Sequence, residues 1–295
     1  MNILLTGSTG FIGSTFLRQA LAKGNSIVAL VRPQTSEVRA LIQHDRLRLV
    51  PGTLADAPWN AIAALQPEVC VHCAWTTAPR VPYDSPEHFR CFEESRAFLE
   101  RVIGMGVRQI IGLGTCIEYR IGSEPLAEER TPIEPLGPYA ESKNKMRDWL
   151  EEASARHGFQ FCWARIFYAY GVGEDPTRLC TSLIRRFRRN EPLVLKTPRS
   201  TKDYIYIEDV ASALLLLLEK KFQGAVNLGT GAGVTIYELA QTVATLLGKT
   251  GLVQTAAAEG TDPLAYVVAD STRLRSLSWQ PKYDLKRGLS EMIGQ

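Results

Sequence analysis

Residues 2–24, NILLTGSTGFIGSTFLRQALAKG, join a short apolar strand to a helix through a turn with glycines at positions 7, 10 and 13. Asn2–Leu5 is short and mostly apolar, as a central strand of a parallel sheet is. At such a junction Gly7 permits the sharp turn, and Gly10 leaves room for a pyrophosphate against the backbone. Gly13 lets the helix, expected over Ile12–Lys23, pack close to the strand. The free N–H groups at the helix start would then hold phosphate, aided by the helix dipole. Thr9, Phe11 and Ile12 complete the turn and are expected to line the same cradle. Glycines at a strand–helix turn can also be purely structural, so the motif needs a second signal.

Strands and helices alternate through the first half of the chain. Ser26–Val31, Arg46–Val50, Val69–Ala74, Gln109–Leu113 and Phe159–Arg165 read as strands, with helices over Pro86–Met105 and Pro138–His157. This rhythm predicts an α/β fold with a doubly wound parallel sheet and ligands at the carboxyl ends of its strands. Beyond Arg165 the pattern loosens. Tyr168–Arg178 reads as a loop, Thr181–Arg189 as a helix, and Leu193–Leu195 follows as a short apolar segment. KDYIYIEDVASALLLLLEK reads as a strand passing into a helix with Glu208 or Asp209 near its cap. Gly224–Gly229 reads as one more strand, and Thr235–Leu247 as an amphipathic helix whose Thr235 and Glu238 have capping-box spacing. Residues 1–165 and 203–229 are expected to form a dinucleotide-binding domain, and 166–202 and 230–295 a smaller substrate-binding lobe.

Composition narrows the function classes. The 295 residues are 45% hydrophobic and 22% charged, ordinary for a globular enzyme with a large core. The net charge of +3 is small, and no recognition motif accompanies the densest basic run, Arg185-Arg186-Phe187-Arg188-Arg189, so a nucleic-acid partner is not expected. The longest apolar run, Val210–Leu218, has nine residues including a serine, too short to span a bilayer. Met1 passes at once into a strand, so the expectation is a cytoplasmic protein without a leader peptide. The six cysteines lie mostly in hydrophobic contexts, which suits reduced thiols. Cys70-Val71-His72-Cys73 has CxxC spacing but falls in an expected strand, with no second Cys/His pair, so no metal is expected.

The second signal is Tyr139-Ala140-Glu141-Ser142-Lys143, which puts a phenol and an ammonium at i and i+4 on one helix face. A phenol titrates near pH 10, and a nearby lysine favours the phenolate, as would the positive nicotinamide ring of an oxidised cofactor. Thr115 is expected just past the strand Gln109–Leu113, at its carboxyl edge, where its hydroxyl can hold a substrate oxygen.

With these motifs the chain resembles the extended short-chain dehydrogenase/reductase family, in its nucleotide-sugar epimerase, dehydratase and reductase group. The resemblance rests on TGSTGFIG (6–13), VHCAW (71–75), LGTCIEY (113–119), PYAESK (138–143), ARIFYAYG (164–171), KDYIYIEDVASA (202–213), NLGTG (227–231) and WQP (279–281). It implies a Rossmann-type domain with Tyr139 as acid/base, Lys143 as its activator and ribose ligand, and Thr115 as the anchor of the carbonyl or hydroxyl. Further implied cofactor contacts are Leu54, Cys73, Ala74, Trp75 and Ile166. Thr76, Cys116, Phe167, Arg178 and Lys202 are implied on the substrate side. Hydride would pass between a sugar carbon and the nicotinamide.

Several residues bear on the group member. Dehydratases of the family resemble one another in carrying Asp then Glu after the catalytic Thr. Here Cys116 and Ile117 follow, and Glu118 comes one position later, expected to face away on an extended segment. In GDP-fucose synthase-like enzymes a cysteine at the position of Cys116 works with a histidine after the sixth strand. Gly171-Val172-Gly173-Glu174 stand there, so Cys116 reads as a packing residue. Arg32 ends the second strand where NAD-preferring members carry Asp or Glu, which points to a 2′-phosphate and hence NADP(H), with NAD(H) as the other choice. Lys202 stands where relatives carry Arg near a diphosphate. No basic residue occupies Ala256-Ala257-Ala258-Glu259, and Arg178, Arg185, Arg186 or Arg199 could supply that charge.

The leading expectation is an NADP(H)-dependent reductase of a nucleotide-linked 4-keto-6-deoxy sugar. The alternatives are an NAD-dependent nucleotide-sugar 4-epimerase, a non-catalytic nucleotide sensor, and catalysis on a non-sugar ketone. The resemblance also implies a homodimer, with Phe89, Phe92, Phe98, Leu99, Met146, Trp149 and Leu150 offered as its apolar faces, although burial within one chain accounts for them equally well.

Overall fold

A computed structural model describes residues 1–33, 43–77, 81–257 and 260–294; Ala258 and Glu259 of the segment singled out above lie outside the described residues. Its contacts divide the chain into two compact units. The first comprises residues 1–118, 133–165 and 211–226, and the second 119–132, 166–210 and 227–295.

The first unit is built on a seven-stranded sheet. Its strands are β1 (Asn2–Thr6), β2 (Ser26–Val31), β3 (Leu47–Pro51), β4 (Val69–His72), β5 (Gln109–Thr115), β6 (Gln160–Ile166) and β10 (Gly224–Leu228), ordered β10-β6-β5-β4-β1-β2-β3. The pairs from β5 through β4, β1 and β2 to β3 are all parallel. Every residue of β4 and β5 is buried, as their near-continuous apolar sequences require of strands covered on both faces. The chain leaves β1 toward β2 and β3, then returns to the other side with β4. The order therefore reverses between β1 and β4, and a doubly wound sheet opens its ligand crevice at such a point.

Helices α1 (Phe11–Ala22), α2 (Trp59–Ala64), α3 (Glu87–Gly104) and α4 (Gly137–His157) cover this sheet. Leu4, Val28, Ile62, Phe98, Leu99, Met146, Leu150 and Trp163 share its core, with Phe92 and Trp149 packed against them. Four of the seven residues expected to supply a dimer face, Phe98, Leu99, Met146 and Leu150, are thus consumed within their own chain. The six-residue α2 is too short to show a period of its own in the sequence. Two boundaries shift in ways that matter: β4 ends at His72, so Cys73 and Ala74 lie beyond it, and β5 runs on to include Thr115.

The second unit has a small sheet in which β9 (Thr201–Tyr206) pairs with β7 (Tyr168–Tyr170) and β13 (Tyr266–Val267) in parallel and with β11 (Gly233–Thr235) antiparallel. The short β8 (Leu193–Leu195) pairs with β12 (Val253–Thr255). Its helices are α5 (Leu179–Arg188), α7 (Ile236–Leu246), α8 (Thr272–Ser276) and α9 (Leu285–Ile293), while α6 (Ile207–Glu219) begins in this unit and ends in the first. Asp203 ties it together: its buried carboxylate accepts the N–H groups of Thr230, Gly231 and Ala269 and the Thr230 hydroxyl. Residues 168–170 are a strand where the sequence reads as the start of a loop, because alternate tyrosines find β9 to pair with. Among the described residues no helix is long and apolar enough to cross a membrane.

Thr235 caps α7 as its spacing predicts. Its hydroxyl accepts the Glu238 N–H at 3.1 Å, and Glu238 Oε2 accepts the Thr235 N–H at 2.8 Å. Thr235→Ala is expected to cost about 1 kcal/mol in urea unfolding. Gly13→Ala is expected to cost about 3 kcal/mol, because a Cβ there would run into the Gly7 carbonyl oxygen. Equal midpoints for wild type and Gly13→Ala would contradict the packing described here.

Candidate active site

The turn after β1 is shaped by contacts that exclude side chains. Gly7 has φ +70°, and a Cβ on it would lie 2.7 Å from the Ala74 N and 2.8 Å from the Cys73 carbonyl carbon. The backbones following β1 and β4 therefore touch at the strand-order reversal. Thr6 stitches them: its carbonyl accepts the Cys73 N–H, and its hydroxyl accepts the Ala74 N–H at 3.2 Å. That leaves the Thr6 hydroxyl proton for His72 Nδ1, 2.9 Å away. Burial and then the Lys143 charge push His72 down to about 3, so its ring is neutral.

Gly10 differs from its two neighbours. It is exposed at the N-cap of α1, where no side chain caps the helix, and a Cβ there would meet only the Gly7 oxygen within 4 Å. The Ser8 hydroxyl beside it is buried without a hydrogen-bond partner. An uncapped helix start, an open glycine and an orphaned hydroxyl fit the phosphates of a dinucleotide. Thr9, Phe11 and Ile12 sit partly exposed around this cradle, as a binding surface must.

Tyr139 and Lys143 lie in the first two turns of α4, which starts with Pro138 near its N-terminus, where proline costs no helical hydrogen bond. The loop before α3 holds the tyrosine. Tyr83 O accepts the Tyr139 N–H at 3.0 Å, with the Tyr83 ring centred 4.8 Å away and the His88 ring edge-on at 5.1 Å. Lys143 is buried, its Nζ donating to Leu113 O at 2.8 Å and lying 3.8 Å from the centre of the Trp75 ring. Trp75 is fixed in turn, its Nε1 donating to His88 Nδ1 at 3.3 Å, while His88 Nε2 meets Pro82 O at 2.9 Å. Burial lowers Lys143 from 10.5 to about 7, against the opposing pull of Glu118.

Thr115 is the last residue of β5 and 8% exposed. Contrary to the expected extended segment, Cys116–Glu118 form a short 3-10 turn. The turn swings the fully buried Glu118 back so that its Oε1 accepts the Thr115 N–H at 2.8 Å. Glu118 Oε2 accepts from Arg165 Nε at 2.7 Å, and both oxygens accept from Trp163 Nε1. Cys116 is buried in the same turn. An acid and an arginine set inside otherwise apolar stretches, CIEY and CWARIF, were the overlooked signal, since buried charges need a partner.

The first unit thus brings together Gly7, Thr9, Gly10, Phe11, Ile12, Gly13, Cys73, Ala74, Trp75, Thr115, Tyr139 and Lys143, which follow or flank β1, β4 and β5. Thr76 lies partly exposed after Trp75, Arg32 is exposed at the end of β2, and Leu54 packs against the core. Ile166 and Phe167 fall in the second unit, both buried at the end of β6 and just after it. Arg178 is the exposed N-cap of α5. Lys202, expected near a diphosphate, is buried on β9, with its Nζ held by Asp262 Oδ2 at 2.9 Å and by the Leu264 carbonyl.

Known proteins match this chain along its length. A UDP-glucose 4-epimerase of Streptococcus mutans serotype c is 26% identical over 310 residues, spanning 96% of this chain and 93% of its own. UDP-glucuronic acid decarboxylase 6 of Arabidopsis thaliana is 25% identical over 313 residues, spanning 99% and 88%. Among solved structures, Thermus thermophilus UDP-glucose 4-epimerase in complex with NAD is 28% identical, covers 100% of this chain and 98% of its own, and superposes with a TM-score of 0.86. No NADP preference is supported, and the inference drawn from Arg32 is set aside. The profile of the NAD dependent epimerase/dehydratase family matches residues 3–229, and the chain belongs to that family.

Proposed function

We propose that this protein is an NAD-dependent nucleotide-sugar 4-epimerase acting on a UDP-linked sugar. This replaces the 4-ketoreductase reading favoured by the sequence. The observation that carries it is the gathering of Thr115, Tyr139 and Lys143 in one unit with an open dinucleotide cradle, and no free acid in the turn after Thr115. Eliminating water or carbon dioxide makes demands beyond one proton at one oxygen, and a second acid or base serves such steps. Here Cys116 is buried, Ile117 is aliphatic and Glu118 is bound to Arg165. The epimerases among the relatives support the same choice over net reduction.

The turn Gly7–Gly13 would hold the pyrophosphate, and Cys73, Ala74, Trp75 and Lys143 the nicotinamide half. When bound, NAD supplies the acceptor and then the donor of hydride at the sugar's C4. Tyr139 Oη takes the proton of the 4-hydroxyl and returns it to the new alcohol. Thr115 Oγ1 orients that oxygen, and the Lys143 ammonium, one helical turn from Tyr139, favours the phenolate. Each proton taken is given back, so the cycle consumes nothing.

Incubation of the protein with UDP-galactose and NAD, followed by proton NMR, is expected to show conversion to UDP-glucose without accumulating reduced cofactor. Tyr139→Phe is expected to slow this by roughly 10²- to 10⁴-fold while NAD still binds. Steady consumption of NADPH with a nucleotide-linked 4-keto sugar, and no interconversion, would contradict the proposal.

The buried Lys143 also predicts a pH dependence of stability in the cofactor-free protein. The folded state releases its proton near pH 7, the unfolded chain near 10.5. Between these values the unfolded state binds more protons, so stability rises with pH, and below about 7 the full cost of a buried ammonium is present. Urea unfolding at pH 7 and 9 is expected to show wild type gaining on the order of 2 kcal/mol relative to Lys143→Met. Parallel pH profiles for the two proteins would contradict this placement of Lys143.

A further inference from the structure

The buried Glu118–Arg165 pair has no part in the chemistry just described. Burying two charges is costly, and an apolar pair of the same volume is often as stable, so the pair invites a role other than stability. Its geometry is specific. Glu118 Oε1 receives the Thr115 N–H at 2.8 Å, Oε2 receives Arg165 Nε at 2.7 Å, and Trp163 Nε1 lies 3.1 Å from both oxygens. Glu118 and Arg165 are 0% and 1% exposed. Gly114, immediately before Thr115, has no room for a side chain, because a Cβ would meet the Trp163 indole nitrogen and lie 2.6 Å from Glu118 Oε1. Three donors therefore fix one carboxylate, and that carboxylate fixes the backbone that carries the Thr115 hydroxyl.

We propose that Glu118 is a positioning residue for the site, its carboxylate clamping the Thr115 backbone on the same strand whose Leu113 carbonyl holds the Lys143 ammonium, and so fixing a negative charge near that ammonium. The proposal rests on the epimerase reading for its catalytic meaning, but not for its physical test. Glu118 is the foremost group that pulls the Lys143 titration upward against burial. The other groups facing Lys143 are Cys73 beyond β4, Cys91 on α3 and His72 on β4, with Tyr139 on its own helix and the Trp75 ring against its ammonium. Burial pushes Cys73 up to about 12 and leaves His72 neutral, so neither carries charge at neutral pH. Arg165 pairs with Glu118 from β6 and is the opposing cation.

The test separates charge from shape. The Lys143 ammonium midpoint is followed by ¹⁵N NMR of lysine-labelled, cofactor-free protein, assigned with Lys143→Met, alongside hydrogen exchange of the Thr115 amide. In Glu118→Gln the midpoint is expected to fall by about one pH unit. In Glu118→Asp the charge remains and the reach shortens, so the midpoint should hold within about half a unit while Thr115 exchange accelerates roughly tenfold. If wild type interconverts UDP-sugars, both variants should lose roughly tenfold in kcat with little change in KM. An unmoved Lys143 midpoint in Glu118→Gln would overturn the proposal. Should that variant fail to fold, unchanged Thr115 exchange in Glu118→Asp would do so. A wild type that turns over no UDP-sugar would remove the epimerase reading and leave both NMR readouts in force.

Discussion

The close approach of two backbones at the sheet's strand reversal is the constraint from which the rest of the site follows. A left-handed Gly7 lets the chain after β1 lie against Cys73 and Ala74, and Gly13 lets α1 settle onto the Gly7 carbonyl. No side chain fits at either contact, so the crevice floor is backbone. Such a floor presents N–H groups and a helix start to a ligand, and it keeps both at a fixed height relative to the ends of β4 and β5. Gly10 is the least crowded of the three, a Cβ there meeting only the Gly7 oxygen at 3.3 Å, which separates it from the two glycines required for packing.

Above this floor the candidate site is built on charges kept out of water. Lys143 is buried between a carbonyl of β5 and the face of Trp75, and a buried ammonium titrates far below its ordinary range. The same burial neutralises His72, which then serves as a hydrogen-bond partner of Thr6. Glu118 and Arg165 add a compensated pair one turn from Thr115. Burial thus takes His72 out of the neutral range and brings Lys143 into it, so the lysine is a group through which the site responds to pH.

Much of this was legible in the sequence, and the reasons are physical. The buried strands β1, β4 and β5 are apolar runs bounded by punctuation, and the glycine turn and the Tyr139–Lys143 spacing each encode a local geometry. Local rules therefore found them, as they found the Thr235 cap. What escaped depends on tertiary contacts. The reach of Glu118 is fixed by Trp163 and Arg165, 45 and 47 residues away in sequence. Lys202 reads as a free cation because Asp262 is distant in sequence. The NADP(H) reading of Arg32 gains no support, because a single exposed charge at a strand end carries little weight beside a relative solved in complex with NAD.

The central claim is that the glycine turn is a dinucleotide site rather than a packing device. Calorimetric titration of NAD into wild type and Gly10→Val tests it most directly, since Gly10 is exposed at the helix start and a Cβ there would meet only the Gly7 carbonyl oxygen, at 3.3 Å. The account predicts that wild type binds NAD and that the variant, still folded cooperatively, loses roughly 100-fold or more in affinity. Equal affinities for the two proteins would contradict it.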